Sequence, residues 1–168
     1  MENDKTPKNL SQSYQICTFW LAERLYGVDI LDIKEINTET SFTPVFHAPP
    51  TVKGYVNIRG QIHLVLNLRK ILECDAPSRE TEEKILIFKP TVAEPFGVMV
   101  DRIGDIFEVS SQQIESPIKT VNLSEGENGN LNISEGLILG ICKLKDQLLV
   151  ILNPRDFLRH VAMEGKRP

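Results

Sequence analysis

Apolar positions along this chain fall into short runs that alternate with polar ones or stop at Gly, Pro, Asn and Asp. This is the period-two signature of strands rather than the broad stripe of long helices. Tyr14–Leu21 reads as a strand, Ala22–Leu25 as a hairpin turn and Tyr26–Ile30 as the returning strand. Leu31–Ile36 fits a strand or the first turn of a helix, since Ile30, Ile33 and Ile36 also approach helical spacing; strand is the expectation adopted. The connection 37–50 carries Pro44, Pro49 and Pro50, which resist a helix and stiffen a crossing loop. Further strands are expected at Lys84–Phe88, an almost uniformly apolar run, and at Phe96–Val100, continuing through Ile103, Ile106 and Val109. A last hairpin joins Gly136–Leu144 to Gln147–Leu152 across Lys145-Asp146.

The most distinctive stretch is Val52–Leu68, two strands folded back across Arg59-Gly60, where Gly60 can take the positive φ of a tight turn. Asn57 and Arg59 flank Ile58 at period two, so both side chains are expected on one face. A guanidinium at a hairpin rim is either a solvated turn residue or a recognition element with a rigid fork of donors. Asn67 and Asn153 each stand where they cap a short helix; Leu68, Ile71 and Leu72 share a face of the first, and Pro154 takes the first helical position of the second.

The chain repeats itself. Tyr26-Gly-Val with Ile33 and Ile36 behind it is echoed by Phe96-Gly-Val with Ile103 and Ile106, and Val65-Leu-Asn-Leu-Arg by Ile151-Leu-Asn-Pro-Arg, in the same order. Each half thus follows one plan of hairpin, loop, hairpin, short helix. Five or so short strands per half protect their edges by curling into a small barrel, and two such barrels gain stability by packing, with a groove between them. Whether strands are exchanged between the halves is left open at this point. The expected organisation is a disordered tail over 1–13, one unit of two β-barrel subdomains over 14–160, a long loop over 117–135, and a frayed tail over 161–168.

Composition narrows the chemistry. The 168 residues are 41% hydrophobic and 25% charged with formal net charge −4, a globular profile without the basic stripe of a nucleic-acid binder. No apolar run approaches the ~20 residues that span a bilayer, and the polar N-terminus carries no secretory signal, so a cytoplasmic protein is expected. Three cysteines without C-x-x-C spacing give neither a disulfide framework nor a zinc site; Cys17 and Cys142 read as small core residues. His47, His63 and His160 have no nucleophile at a recognisable elbow, and no phosphate loop or dinucleotide fingerprint appears. No enzyme, cofactor or metal is expected; His63 with Cys74 or Cys142 is a weak candidate ligand set.

The ordered set Tyr26-Gly-Val-Asp-Ile, Ile33-Lys-Glu-Ile36, Pro44, Pro49, Gly54-Tyr-Val-Asn-Ile-Arg-Gly60, Asn67-Leu-Arg69 and Phe96-Gly-Val-Met-Val-Asp101 resembles the family of the chemotaxis coupling protein CheW, from about Tyr14 to Leu158. The resemblance implies an all-β fold of two small SH3-like five-stranded β-barrels packed together, with short helices after the barrel strands. It implies a non-catalytic adaptor between chemoreceptors and a CheA-type histidine kinase, monomeric alone and assembled into receptor arrays beneath the inner membrane. Carried over residue by residue, it puts Ile33, Glu35, Asn57, Arg59, Ile85, Leu86, Gly97 and Ile103 at receptor-facing or groove-forming positions. Phe42, Pro44 and Gly54 fall on the expected kinase-facing side, toward the kinase's own CheW-like regulatory domain. Two departures stand out: Leu64 occupies a usual Pro position, restoring a backbone N–H, and Asn67 replaces an Asp. A coupling protein for another output, such as twitching motility or developmental signalling, and a small-barrel nucleic-acid binder are the alternatives.

Overall fold

The structure, a computed structural model, describes residues 12–39, 41–74, 82–117 and 136–164. Eleven strands among these form two sheets: β1 (Ser13–Leu21), β2 (Arg24–Asp29), β8 (Arg102–Ser110), β9 (Ile114–Glu115), β10 (Ile138–Lys143) and β11 (Leu148–Leu152) in the first, and β3 (Ile33–Asn37), β4 (Val52–Ile58), β5 (Gln61–Asn67), β6 (Lys84–Phe88) and β7 (Phe96–Val100) in the second. The helices are α1 (Leu68–Ile71) and α2 (Arg155–Glu164). The all-β class and the two-sheet plan agree with expectation; β9 adds a sixth strand to the first sheet. Of Leu31–Ile36, both readings hold in part, since Ile30–Asp32 makes one 3-10 turn and β3 starts at Ile33.

The open question of strand exchange is decided by the sheet order. The first sheet runs β8-β1-β2-β11-β10-β9 and the second β3-β6-β7-β5-β4. The opening hairpin β1–β2 therefore completes the sheet of the second half, and the hairpin β6–β7 completes that of the first. The exchange is reciprocal and made by parallel pairing, with Gly27 opposite Ile151 and Gly97 opposite Val65. These pairs join the two echoed motifs of the sequence to one another in both sheets.

Both sheets close on themselves. In the second, β3 and β4 stand at opposite ends of the order, yet the chain beyond β3 returns to bridge Thr43 to Tyr55 with two backbone hydrogen bonds of 2.8 Å. In the first, β8 continues through a 3-10 turn into β9, which pairs with β10. Closure needs a close backbone approach in each barrel. A side chain at Gly54, whose φ is +149°, would come within 2.6 Å of the Thr43 carbonyl, and one at Gly140 within 2.9 Å of the Glu115 carbonyl. Glycine is required at both.

Each barrel encloses a small apolar cluster, Ile16, Leu25, Val109, Cys142, Leu149 and Ile151 in one, and Val56, Ile58, Val65, Ile85, Ile87 and Met99 in the other. A third and larger cluster lies between the sheets and unites Phe19, Leu21, Tyr26 and Val28 with Leu86, Phe88, Phe96, Val98 and Val100, joined by Leu68, Leu152 and Phe157. The exchanged hairpins thus face apolar surroundings on both sides. Lys84–Phe88 is apolar for that reason, with Ile85 and Ile87 inside the barrel and Leu86 and Phe88 between the sheets.

Several sequence expectations change here. The space between the barrels is packed core at its centre rather than an open groove. The frayed C-terminal tail expected over 161–168 begins later, since α2 runs to Glu164 and Val161 is buried against the inter-sheet core. Ser13, assigned to the N-terminal tail, opens β1. Residues 1–11, 118–135 and 165–168, which hold the rest of the expected tails and almost all of the long loop, lie outside the described residues.

Candidate functional site

The β4–β5 turn is a two-residue hairpin with Arg59 at φ +52° and Gly60 at φ +83°. That is the turn whose twist matches the flanking strands, and it suits Asn-Gly far better than Arg-Gly. Asn57 does not project beside Arg59 as the alternation implied: its Oδ1 accepts the Gly60 N–H at 2.9 Å and holds the turn. Arg59 lies past the end of β4, and the left-handed backbone aims its guanidinium at the other end of the sheet. There Nη1 donates to Glu35 Oε2 of β3 at 2.7 Å, while Glu35 Oε1 accepts from the Asn37 side chain at 3.3 Å.

The pair therefore spans the seam where β3 and β4 approach, a second tie beside the Thr43–Tyr55 bridge. Its members are unequal, the Arg59 side chain being 78% exposed and that of Glu35 17%. In so wet a setting the pair adds at most about 1 kcal/mol, so its consequence is orientation: one carboxylate is fixed, and one guanidinium is presented to solvent with donors to spare. Ile62, opposite Asn57, and Tyr55, two residues before it, are exposed beside the turn. Neither was singled out from sequence, where strand alternation marks them only as outward-facing.

The other positions expected to face a receptor or form a groove divide. Ile33 and Ile103 are repeat-related, half-buried, and pack at the margin of the inter-sheet core. Ile85 and Leu86 are 1% and 0% exposed, one inside the barrel and the other between the sheets, so neither side chain reaches the surface of the chain. Gly97 is buried as well; a Cβ there would lie 2.7 Å from the Leu86 carbonyl, so it permits strand packing and touches nothing outside. Strands buried on both faces look identical in sequence to apolar strands that face a partner, so the pattern does not separate positions that shape a surface from positions that touch it.

On the expected kinase side, Phe42 packs half-buried against the barrel cluster with the Lys53 ammonium 5.8 Å from its ring centroid, and Pro44 is exposed. Gly54 is buried beneath the Thr43 carbonyl and supports this loop without reaching its surface. Phe46, 90% exposed at the tip of the same loop, is the most prominent apolar side chain there and was not selected from sequence. The Leu64 N–H does not alter an exposed edge; β5 is internal, and the group donates to the Pro95 carbonyl at 3.2 Å. Asn67 caps α1 through its side chain, as its Asp counterpart would.

The motifs Asn67-Leu-Arg69 and Phe96–Asp101 meet in space. Arg69 Nε donates to Asp101 Oδ1 at 2.8 Å and its Nη2 to Oδ2, while Asp101 Oδ2 also accepts the Ala22 N–H at 3.0 Å. Burial pushes the Cys17 and Cys142 thiols above their ordinary value, and the Tyr26 hydroxyl, desolvated and 3.5 Å from Cys74 Sγ, is pushed up as well. These are protonated, unreactive groups. Among the described residues no group of three or more His, Cys, Asp or Glu is placed to hold a metal ion, and no helix is long and apolar enough to cross a membrane.

Comparison with known proteins points one way. The CheW-like domain family matches residues 15–162. Similar proteins include the chemotaxis protein CheW of Treponema pallidum, 30% identical over 113 residues and 66% of each chain, and that of Rhizobium meliloti, 28% identical over 60% of this chain and 64% of the relative. The chain thus spans just under two thirds of the length of these curated relatives. In fold it matches the scaffolding protein TtCheW of Thermoanaerobacter tengcongensis, with TM-score 0.71, 24% identity, and 89% and 90% of the two chains covered.

Proposed function

The chain belongs to the CheW-like family, and from that premise we propose that it is a non-catalytic adaptor coupling chemoreceptors to a CheA-type histidine kinase. The observation that carries this reading is the Arg59–Glu35 pair. A cation is held in an unfavourable backbone conformation at an exposed rim, where its ion pair returns little stability. Such a residue is better explained by a partner than by the fold. The guanidinium, with Tyr55 and Ile62 beside it and Ile33 and Ile103 at the sheet margin, offers a charged and apolar surface for the tip of a receptor's helical hairpin. The loop bearing Phe42, Pro44 and Phe46 is the proposed contact for the kinase's CheW-like domain. The protein works as a monomer that joins cytoplasmic arrays beneath the membrane, with 14–160 acting as one unit.

Mixing the purified protein with a CheA-type kinase and receptor-tip fragments should give co-elution at tens of micromolar, a concentration chosen to capture weak, transient interfaces. Arg59→Asp, which sets a second carboxylate against Glu35, should lose the receptor fragment while retaining the kinase. If neither partner binds the parent chain, the coupling role is wrong. The net acidity and the absence of a basic stripe in the sequence weigh against the nucleic-acid alternative.

A further inference from the structure

The described chain passes between the two sheets at two places, from β2 to β3 through Ile30–Asp32 and from β7 to β8 through Asp101. Each crossing carries an aspartate gripped by an arginine fork; the two arginines are repeat-related, and the aspartates stand one position apart in the repeat. At one, Arg69 of α1 holds Asp101. At the other, Arg155 at the start of α2 donates through Nη1 and Nη2 to the two Asp32 oxygens, both at 3.1 Å. In each case the helix belongs to the barrel that the chain is leaving. Each crossing also begins the next ladder, because Asp101 N–H donates to the Trp20 carbonyl at 3.1 Å and Lys89 N–H to the Asp32 carbonyl at 2.9 Å.

We propose that Asp32 and Asp101, clamped by Arg155 and Arg69, are positioning residues that set the orientation of one barrel on the other, and that the Arg155–Asp32 clamp is the adjustable one. The two clamps differ in the way this requires. Side-chain exposure is 20% and 11% for Arg69 and Asp101, and the Ala22 N–H makes a third contact. Arg155 and Asp32 are 52% and 15% exposed. A half-exposed fork is weakened by salt, and a buried one is screened much less. Crossing points are also where a few residues can absorb a rotation of two packed bodies. The crossings lead directly into Ile33, with Glu35 two residues on, and into Ile103, so a change at either clamp moves the proposed receptor-facing positions. That consequence for coupling rests on the adaptor reading above; the orientation itself does not.

The test places spin labels at Gln61→Cys on the second sheet and Lys145→Cys in the turn between β10 and β11 of the first, both at exposed positions, in a Cys74→Ser background, and measures the inter-label distance distribution. Arg155→Gln should shift or broaden the distribution with little change in melting temperature, Arg155→Lys should do so less, and about 1 M salt should produce the shift in the parent protein. Arg69→Gln should lower the melting temperature. Identical distributions for the parent at low salt, the parent at high salt and Arg155→Gln would overturn the clamp, whatever the variants do to stability. Receptor-tip binding is read separately and should fall about tenfold in Arg155→Gln, equivalent to ~1.4 kcal/mol. Unchanged binding by a variant whose distances have moved would overturn the link to coupling. A parent that binds no receptor fragment refutes the adaptor reading and leaves the distance result standing.

Discussion

Arg59→Asn separates a residue kept for the fold from one kept for a partner. Arg59 sits at φ +52°, a conformation that costs a side chain with Cβ about 1–2 kcal/mol and that Asn tolerates because its short amide can bond locally. With Gly60 behind it, the substitution creates the Asn-Gly pair that this turn favours. Relief of about 1 kcal/mol is set against the lost ion pair, which at 78% exposure of the Arg59 side chain contributes at most about 1 kcal/mol. The net effect lies between zero and about 1 kcal/mol of stabilisation. For a chain of this length that is a melting temperature unchanged or raised by about 2–4 °C. Thermal melts followed by circular dichroism, paired with titration of the receptor-tip fragment, should show an equal or higher melting temperature and weaker binding. A fall of more than about 5 °C would show that the seam depends on Arg59 and refute the reasoning. Unaltered binding would remove its role at the proposed receptor surface.

The remaining predictions probe what burial and backbone geometry assign. Leu86→Ala should cost about 2–5 kcal/mol in urea unfolding, because the side chain lies wholly in the inter-sheet core; lost receptor binding at full stability would restore it as a contact residue. Gly54→Ala forces a Cβ to within 2.6 Å of the Thr43 carbonyl at φ +149° and should destabilise by more than about 2 kcal/mol, whereas Gly60→Ala, with nothing within 4 Å at φ +83°, should cost only about 1 kcal/mol; equal costs would mean that barrel closure does not depend on Gly54. The Cys17, Cys142 and Tyr26 acids are all raised by burial, so the unfolded chain gives up their protons first. Their contribution is fully present below the unfolded values of about 9 for the thiols and 10 for the phenol and is lost progressively as pH rises from there through the higher folded values. The urea midpoint should drop between about pH 9 and 11; a midpoint flat over that range would contradict the burial of these groups.

The sequence by itself determined the strands, the two short capped helices, the duplication and the family. Those features are local or ordered: period-two patterning, an Asn at each cap, and motifs that recur in one direction along the chain. It also marked Arg59 as unusual, because a charged residue before Gly60 at a hairpin tip is visible without coordinates. Three-dimensional packing decided the rest. Alternation tells which residues share a face but not what covers it: closure of the barrel encloses Ile85, the opposite sheet covers Leu86, and Gly97 is buried against the neighbouring β6. Equal apolarity on both faces of Lys84–Phe88 was compatible with a groove and with a double core, and only the reciprocal exchange of hairpins distinguished them. The Arg69–Asp101 and Arg155–Asp32 forks join residues far apart in the chain, and pattern matching within one half never pairs them. The Arg59–Glu35 contact depends on curvature: β3 and β4 are opposite ends of one sheet, brought together because backbone twist and the close approach at Gly54 close it into a barrel.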